Sequence, residues 1–309
     1  MLSVIIPAYN ETETISRTTE VILDILHNAD IDHELIYVDD GSTDSTWEQI
    51  DVMSKQHSGV RGISFSRNFG KESAIYAGLV ECLGDCAVVI DCDLQHPPEK
   101  IVDMYRLWED GYEIVEGIKS DRGREGILHR AAAGAFYRII SNATGQDMSG
   151  ASDYKLLDRK AVNALINMKE KNSFFRALSS WVGFKSTQIE YDVRSRTQGE
   201  SKWSTGSLVR YALTNITSFT NIPLQIVTFL GAAMFVLGAF LSIQALYKWI
   251  AGIALGGFTT VIILQCFSSS IIMISLGIVG YYLSRIYDEI KGRPKYIVSE
   301  RVGFDEVKK

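Results

Sequence analysis

Asp91-Cys92-Asp93-Leu94-Gln95 carries the densest chemistry in the chain, two carboxylates one residue apart and an amide oxygen two positions further on. On an extended backbone residues i and i+2 share a face, so Asp91, Asp93 and Gln95 present hard oxygens on one side. Such donors suit Mg2+ or Mn2+, which keep positions open for substrate phosphate oxygens, and the choice between the two metals stays open. A bound ion would neutralise a departing diphosphate. The apolar run Ala87–Ile90 leads into Asp91 and His96-Pro97-Pro98 follows, which puts the pair at the end of a buried strand rather than in a solvated acidic turn.

Two further segments have chemical potential. Asp39-Asp40-Gly41-Ser42-Thr43-Asp44 sets carboxylates before a turn glycine and a run of helix-capping residues. Capping accounts for Ser42, Thr43 and Asp44, and Asp39 and Asp40 are left as acceptors for a nucleobase or ribose. Ser66-Arg67-Asn68-Phe69-Gly70-Lys71 is basic where a helix begins, so its amides and Lys71 could meet a base edge or a phosphate. It lacks the G-x-x-x-x-G-K-[ST] spacing of an ATPase phosphate loop.

The elements that position these residues alternate. Ser3–Pro7, Glu34–Asp39, Val60–Ser64 and Cys86–Asp91 read as strands, separated by helices over Glu11–His27, Thr43–Gln56 and Lys71–Cys82. Alternation of this kind predicts an α/β fold with a parallel sheet covered by helices on both faces. Ligands of open α/β sheets sit beyond the carboxyl ends of the strands, where Pro7–Glu11, Asp39–Asp44 and Asp91–Gln95 fall. Glycines 117, 123 and 126 among charges give residues 111–130 the composition of a loop that closes over a site or of an ordinary connector.

Beyond this head the composition changes. No charged residue separates Arg210 from Lys248, or Lys248 from Arg285. The apolar stretches Leu224–Tyr247 and Phe258–Leu283 each exceed the roughly 20 residues that cross a bilayer. Arg285, Lys291, Arg293 and Lys295 follow the second stretch while Lys248 alone charges the connection, which puts both termini in the cytoplasm of a plasma-membrane (inner-membrane) protein. The expected organisation is a cytoplasmic catalytic domain over 1–203, a juxtamembrane amphipathic segment over 204–223, a two-helix hairpin over 224–283 and a cytoplasmic basic tail over 284–309. Small residues such as Gly231, Gly238, Gly277 and Gly280 in the spans would let helices pack closely, as in a homo-oligomer.

Charge and cysteine usage exclude other classes. Residues 1–210 hold 32 acidic against 23 basic side chains, an acidic head that argues against nucleic acid. The 4 cysteines show neither paired zinc spacing nor disulfide density, which fits a reduced compartment. Met-Leu-Ser-Val-Ile-Ile-Pro lacks the basic and long apolar regions of a signal peptide.

Together Val4-Ile5-Ile6-Pro7-Ala8-Tyr9-Asn10-Glu11, Val38-Asp39-Asp40-Gly41-Ser42-Thr43-Asp44, Arg67-Asn68-Phe69-Gly70-Lys71 and Asp91-Cys92-Asp93-Leu94-Gln95-His96-Pro97-Pro98 resemble glycosyltransferase family 2, which has the GT-A, Rossmann-like fold. More narrowly the chain resembles the polyprenyl-phosphate glycosyltransferases, and its two spans resemble those of the bacterial glucosyl-type members. The resemblance implies that Pro7, Ala8, Tyr9, Glu11 and Asp40 surround the nucleotide, that Asp91 lies near donor sugar and metal, and that Asp93 and Gln95 ligate the ion. It places Arg122, Arg124 and Arg130 on a basic loop at the acceptor phosphate. Gly150-Ala151-Ser152-Asp153-Tyr154-Lys155-Leu156 resembles the family's G-x-x-D-[FY]-[RK]-L, which brings Asp153 to the reaction centre. Arg196-Thr-Gln-Gly199-Glu-Ser201-Lys202-Trp203 resembles R-x-x-G-x-S-K-[WY], which directs Arg196 and Lys202 to the diphosphate and acceptor phosphate.

The implied reaction is an inverting, metal-dependent transfer of one sugar, foremost glucose from UDP-glucose, to undecaprenyl phosphate, yielding a lipid-linked sugar for cell-envelope glycosylation. Its charges make sense physically. A donor diphosphate and an acceptor phosphate repel unless cations hold them together. A phosphate monoester loses its second proton near pH 6, so the acceptor needs no strong base, and Asp153 either accepts a residual proton or orients other groups. GDP-mannose, UDP-galactose and other donors remain open, as does a non-catalytic nucleotide-sugar-binding assembly subunit. A processive synthase is disfavoured, because Q-x-x-R-W is absent and two spans are few for a polymer channel.

Overall fold

The computed structural model describes residues 1–120, 152–168, 174–192, 222–252 and 257–304. It contains two compact units, Met1–Leu208 with Pro294–Lys309, and Val209–Arg293.

The first unit is built on an eight-stranded sheet: β1 (Leu2–Ala8), β2 (His33–Asp39), β3 (Val60–Phe65), β4 (Cys86–Val89), β5 (Ile114–Lys119), β6 (Lys155–Asp158), β7 (Ser186–Tyr191) and β8 (Val298–Val302), in the order β7-β5-β6-β4-β1-β2-β3-β8. Strands β4, β1, β2 and β3 run parallel. They are near-continuous apolar runs because both faces are covered, so Val4, Ile5, Ile6, Leu35, Ile36 and Val88 are all fully buried. The covering helices are α1 (Ile15–Asn28), α2 (Thr46–Gln56), α3 (Lys71–Glu81), α4 (Lys100–Glu109), α5 (Arg159–Ile166) and α6 (Phe175–Trp181). Helix α1 turns Ile15, Ile22 and Leu26 inward at helical spacing. Helix α3 approaches β1 so closely that a Cβ on Gly78 would lie 2.3 Å from Ile5 Cγ2.

Strand β6 reverses direction, and this reversal builds the site. It pairs antiparallel with β4, Val89 opposite Lys155. Two residues beyond Val89 is Asp91 and two before Lys155 is Asp153, so residues distant in sequence emerge together at the carboxyl end of β4.

Three expectations need correction. Strand β4 ends at Val89, and Asp91–Gln95 is a turn with Leu94 in the left-handed region (φ 55), so the turn rather than strand alternation sets the aspartates. Residues 114–119, expected within a closing loop, form β5, where a Cβ on Gly117 would meet Tyr154 at 2.8 Å. Residues 121–130 of that expected loop lie outside the described residues. Within the expected basic tail over 284–309, for which no element was expected, residues 298–302 form β8, which pairs antiparallel with β3 and closes that edge of the sheet. Its exposed centre, Ser299-Glu300-Arg301, lacks the apolar alternation that announces a strand.

In the second unit, α7 (Ile222–Ile250) and α8 (Phe258–Ile290) contain stretches of 28 and 24 residues, Pro223–Ile250 and Phe267–Ile290, long and apolar enough to cross a membrane. At 1.5 Å per residue they span roughly 36–42 Å, against about 30 Å of bilayer hydrocarbon. The expected amphipathic segment lies largely in 204–221, outside the described residues.

Candidate active site

The carboxyl ends of β1 and β2 are knitted together by their loops. Asn10 N donates to Ser42 Oγ (2.9 Å), Thr43 N to Asn10 Oδ1 (2.8 Å) and Glu11 N to Thr46 Oγ1 (2.8 Å). Pro7 and Ala8 end β1, Ala8 O accepts Asp40 N, and Tyr9 next to them is 38% exposed. Asp44 lies just before α2 and accepts Thr46 N at 3.1 Å and Thr46 Oγ1 at 2.6 Å.

Asp39 and Asp40 have structural partners. Asp39 is buried, and its oxygens accept Ser42 N (3.0 Å) and Ser64 Oγ (2.8 Å). Both oxygens of Asp39, expected to meet a nucleobase or ribose, thus have partners within the turn and β3. Asp40, also buried, accepts Phe69 N (2.6 Å) and Gly70 N (2.9 Å), which ties the β2 end to the loop before α3. Burial raises its pKa to about 6 against the pull of those amides. Gly41 makes the approach feasible: its φ is +66, and a Cβ there would lie 2.3 Å from the Arg67 carbonyl carbon.

A chain of alternating charges occupies the sheet edge beyond β4 and β6. Lys71, the first residue of α3, meets Asp91 Oδ1 at 2.6 Å and Asp153 Oδ2 at 2.9 Å. Arg176 on α6 grips both oxygens of Asp153, Nε to Oδ1 at 2.8 Å and NH2 to Oδ2 at 2.9 Å. Burial opposes the Lys71 ammonium, but the two carboxylates outweigh it and hold its pKa above the ordinary range. Burial likewise opposes Asp153, yet Lys71 and Arg176 hold it well below the usual carboxylate range. Asp91 is also lowered, with Lys71 overcoming its desolvation.

Lys71, expected to face a base edge or phosphate, links two carboxylates while its side chain stays 41% exposed. Asp153, with both oxygens taken by cations and its pKa pulled down, has the geometry of a group that orients cations and is a poor proton acceptor.

Glu72, next to Lys71, accepts Phe175 N at 2.9 Å and so holds the start of α6. Burial, then the negative Asp153, raises its pKa to about 7. Lys155, fully buried, pairs with Glu116 (3.1 Å) and donates to Ser179 Oγ (2.9 Å) and Arg176 O (3.3 Å), which secures α6 beneath the site. No motif in the sequence assigns a role to Arg176, Glu72 or Lys155. A lone arginine within Phe174-Phe175-Arg176-Ala177-Leu178 was the available signal, since an isolated cation among buried apolar residues needs a partner.

Among the predicted metal ligands, Asp93 Oδ1 accepts Gln95 N (3.0 Å) across the turn, and Cys92 is buried in the core, where Thr18 Oγ1 donates to its carbonyl at 2.7 Å. The turn therefore offers hard oxygens from Asp91, Asp93 and Gln95 and withholds the soft sulfur, a donor set that fits Mg2+ or Mn2+. Among the described residues no three His, Cys, Asp or Glu side chains converge as a metal cage, so an ion here would complete its shell from a bound phosphate or water. His96 stacks on Tyr154 (5.1 Å, 2°) and meets Tyr191 edge-on (5.4 Å) behind this turn. Its Nδ1 has no hydrogen-bond partner among the described residues. The expected phosphate-binding residues Arg122, Arg124, Arg130, Arg196 and Lys202 lie outside the described residues.

The model of Glycosyl transferase family 2 matches residues 3–166. An uncharacterized glycosyltransferase, YkcC, of Bacillus subtilis (strain 168) is 37% identical over 305 residues, covering 98% of this chain and 94% of that protein. The bactoprenol glucosyl transferase of Shigella phage SfII is 33% identical over 304 residues, covering 97% of each. A prophage bactoprenol glucosyl transferase homolog of Escherichia coli (strain K12) is 34% identical over 304 residues, covering 96% of this chain and 98% of that one. Among solved structures, glucosyl-3-phosphoglycerate synthase from Mycobacterium tuberculosis aligns with a TM-score of 0.48 and 25% identity over 71% of this chain and 79% of that one. With a family match across more than half of the sequence and relatives similar over nearly its whole length, this chain belongs to glycosyl transferase family 2 and is a glycosyltransferase of the GT-A fold.

Proposed function

We propose that the protein transfers a single glucosyl residue from UDP-glucose to a polyprenyl phosphate, undecaprenyl phosphate in bacteria, with inversion at the anomeric carbon and with Mg2+ or Mn2+ bound at Asp93, Gln95 and Asp91. The observation that carries this reading is the convergence of Asp91, Lys71, Asp153 and Arg176 at the sheet edge. Relatives named bactoprenol glucosyl transferase support the acceptor and the sugar.

In this reading Pro7, Ala8, Tyr9 and Glu11 line the nucleotide side, where Asp40 braces the loop before α3. A divalent ion, when bound, supplies charge neutralisation for the departing nucleoside diphosphate. Asp91 holds Lys71 at the donor side, while Asp153 aims Lys71 and Arg176 toward the incoming acceptor phosphate. An acceptor oxygen, already deprotonated for the most part at neutral pH, attacks the anomeric carbon as the bond to the diphosphate breaks. One displacement inverts the centre, and no enzyme nucleophile is required.

Connectivity supports a membrane hairpin with the head on one side. β8 lies in the same sheet as β1–β7, so the chain after the two apolar helices rejoins the head, which is what an even number of crossings would give. Lys291, Arg293 and Lys295 just beyond the second stretch, with Arg285 in its last turns, support a cytoplasmic head. The acceptor's tail then stays in the inner leaflet, with its phosphate presented to the head.

The deciding experiment offers purified protein in nanodiscs undecaprenyl phosphate and a panel of radiolabelled nucleotide sugars, with Mg2+, Mn2+ or chelator, and Asp93→Asn in parallel. Transfer from UDP-glucose that needs metal and Asp93 is expected. Transfer from another donor only would replace the sugar assignment. Nucleotide binding without any transfer would favour a non-catalytic subunit.

A further inference from the structure

The segment that follows the second membrane helix does more than close the sheet. Its backbone takes over at the point where β3 ends: Ser66 N donates to Ile297 O at 3.0 Å, and the β3–β8 register shifts between Ser64 and Phe65. Its side chains clasp both flanks of the loop that leads to α3. On the strand side Tyr296 stacks on Phe65 with ring centroids 4.8 Å apart and planes at 17°. On the helix side it meets Tyr76 edge-on at 6.4 Å, and Lys295 Nζ lies 3.7 Å from the Tyr76 ring centre. Phe65 in turn packs edge-on against Phe69 within the loop, at 5.8 Å. A continuous set of rings therefore runs from Tyr296 to Phe69.

Phe69 and Gly70 give their amides to Asp40, and the next residue is Lys71. We propose that Tyr296 is a positioning residue for the donor: stacked on Phe65, it fixes the Ser66–Gly70 loop, so the nucleotide side of the site is completed by chain from beyond the membrane helices. This inference rests on the proposed function, in which that loop borders the nucleotide. It reaches past it, because the sequence separates Tyr296 from every predicted donor residue by the whole membrane segment. The far end of β8 is attached differently, by Arg301 to Glu81 (2.7 Å) and Trp47 Nε1 to Glu300 (3.0 Å), away from the loop. Attachment of the strand and support of the loop are thereby separable.

The test uses the full-length protein in detergent, with UDP and Mn2+ as the probe, titrated calorimetrically for wild type, Tyr296→Ala, Tyr296→Leu, Tyr296→Phe and Arg301→Ala. Aromatic pairs contribute enough that loss of the stack should weaken UDP binding about three- to tenfold in the Ala and Leu variants. Tyr296→Phe, which keeps the ring, should bind as wild type does. Arg301→Ala should lower the melting temperature and leave UDP affinity alone. In transfer assays the Ala variant should raise donor KM while kcat at saturating donor holds. Unchanged UDP affinity in both the Ala and Leu variants, a Phe variant as weak as Ala, or equal weakening by Arg301→Ala would each overturn the proposal. Should Tyr296→Ala fail to fold, Tyr296→Leu carries the same comparison. If wild-type protein binds no nucleoside diphosphate, the proposed function falls and this inference with it; if wild type binds and the variants match it, only the inference falls.

Discussion

Replacing Asp153 by Asn separates its two candidate roles. The carboxylate is 5% exposed and holds Arg176 through both oxygens and Lys71 through one. Asn keeps the shape and one acceptor oxygen but removes the charge that draws two cations together. Hydrogen bonds to charged groups contribute about 1.5–3 kcal/mol each, and Asn retains part of that. Loss of positioning at Lys71 and Arg176 should therefore cost ~2–3 kcal/mol of transition-state stabilisation, about 30- to 150-fold in turnover. Stability should fall less than for a sealed pair, ~1–3 kcal/mol, because Lys71 and Arg176 side chains are 41% and 30% exposed and solvent screens the pairing.

The pH profile supplies the decisive readout. Asp153 is held below the usual carboxylate range, so its contribution is present above the unfolded-state pKa and is lost only as pH falls through the folded value. It does not titrate across neutrality. The rising limb of activity should follow the acceptor phosphate, near pH 6, and keep its position in Asp153→Asn. Initial rates of sugar incorporation into extracted lipid from pH 5.5 to 8.5, beside thermal unfolding, measure both. A loss of 10⁴-fold or more with the acid limb abolished and stability unchanged would identify a general base and refute the orienting role.

Two other outcomes follow from buried charges. Lys155→Met leaves Glu116 inside the sheet without its cation, so unfolding in urea should show ~3–5 kcal/mol of destabilisation; a loss under 1 kcal/mol would mean that Glu116 is satisfied by water. Asp40 and Glu72 have pKa values raised to about 6 and about 7, so the fold favours their protonated forms and stability should decline as pH rises from about 4 to 7. Glu72→Gln should flatten the upper part of that decline, and an unchanged slope between pH 5 and 7 would remove Glu72 as its source.

Local pattern determined a great deal of this protein. Buried parallel strands must be apolar on both faces, so β1, β2 and β4 stand out in sequence, and the polar residues just beyond them mark the binding edge. Long apolar runs with few charges suit helices long enough to cross a membrane, which made the apolar bodies of α7 and α8 legible, although α8 continues past Leu283 to Ile290. The aspartates at 91 and 93 were visible because hard oxygens concentrated at a strand end are chemically unusual. Tertiary structure decided who meets whom. Antiparallel pairing of β4 with β6 brings Asp153 beside Asp91, and Lys71 reaches an aspartate 82 residues away. No periodicity encodes such a pairing, since an ion pair depends on where two chain segments emerge rather than on spacing within either. The same holds for Asp39, whose oxygens Ser42 and Ser64 consume, and for β8: a short, charged, exposed strand joins the sheet only because β3 offers an open edge and Phe65 a ring to stack on.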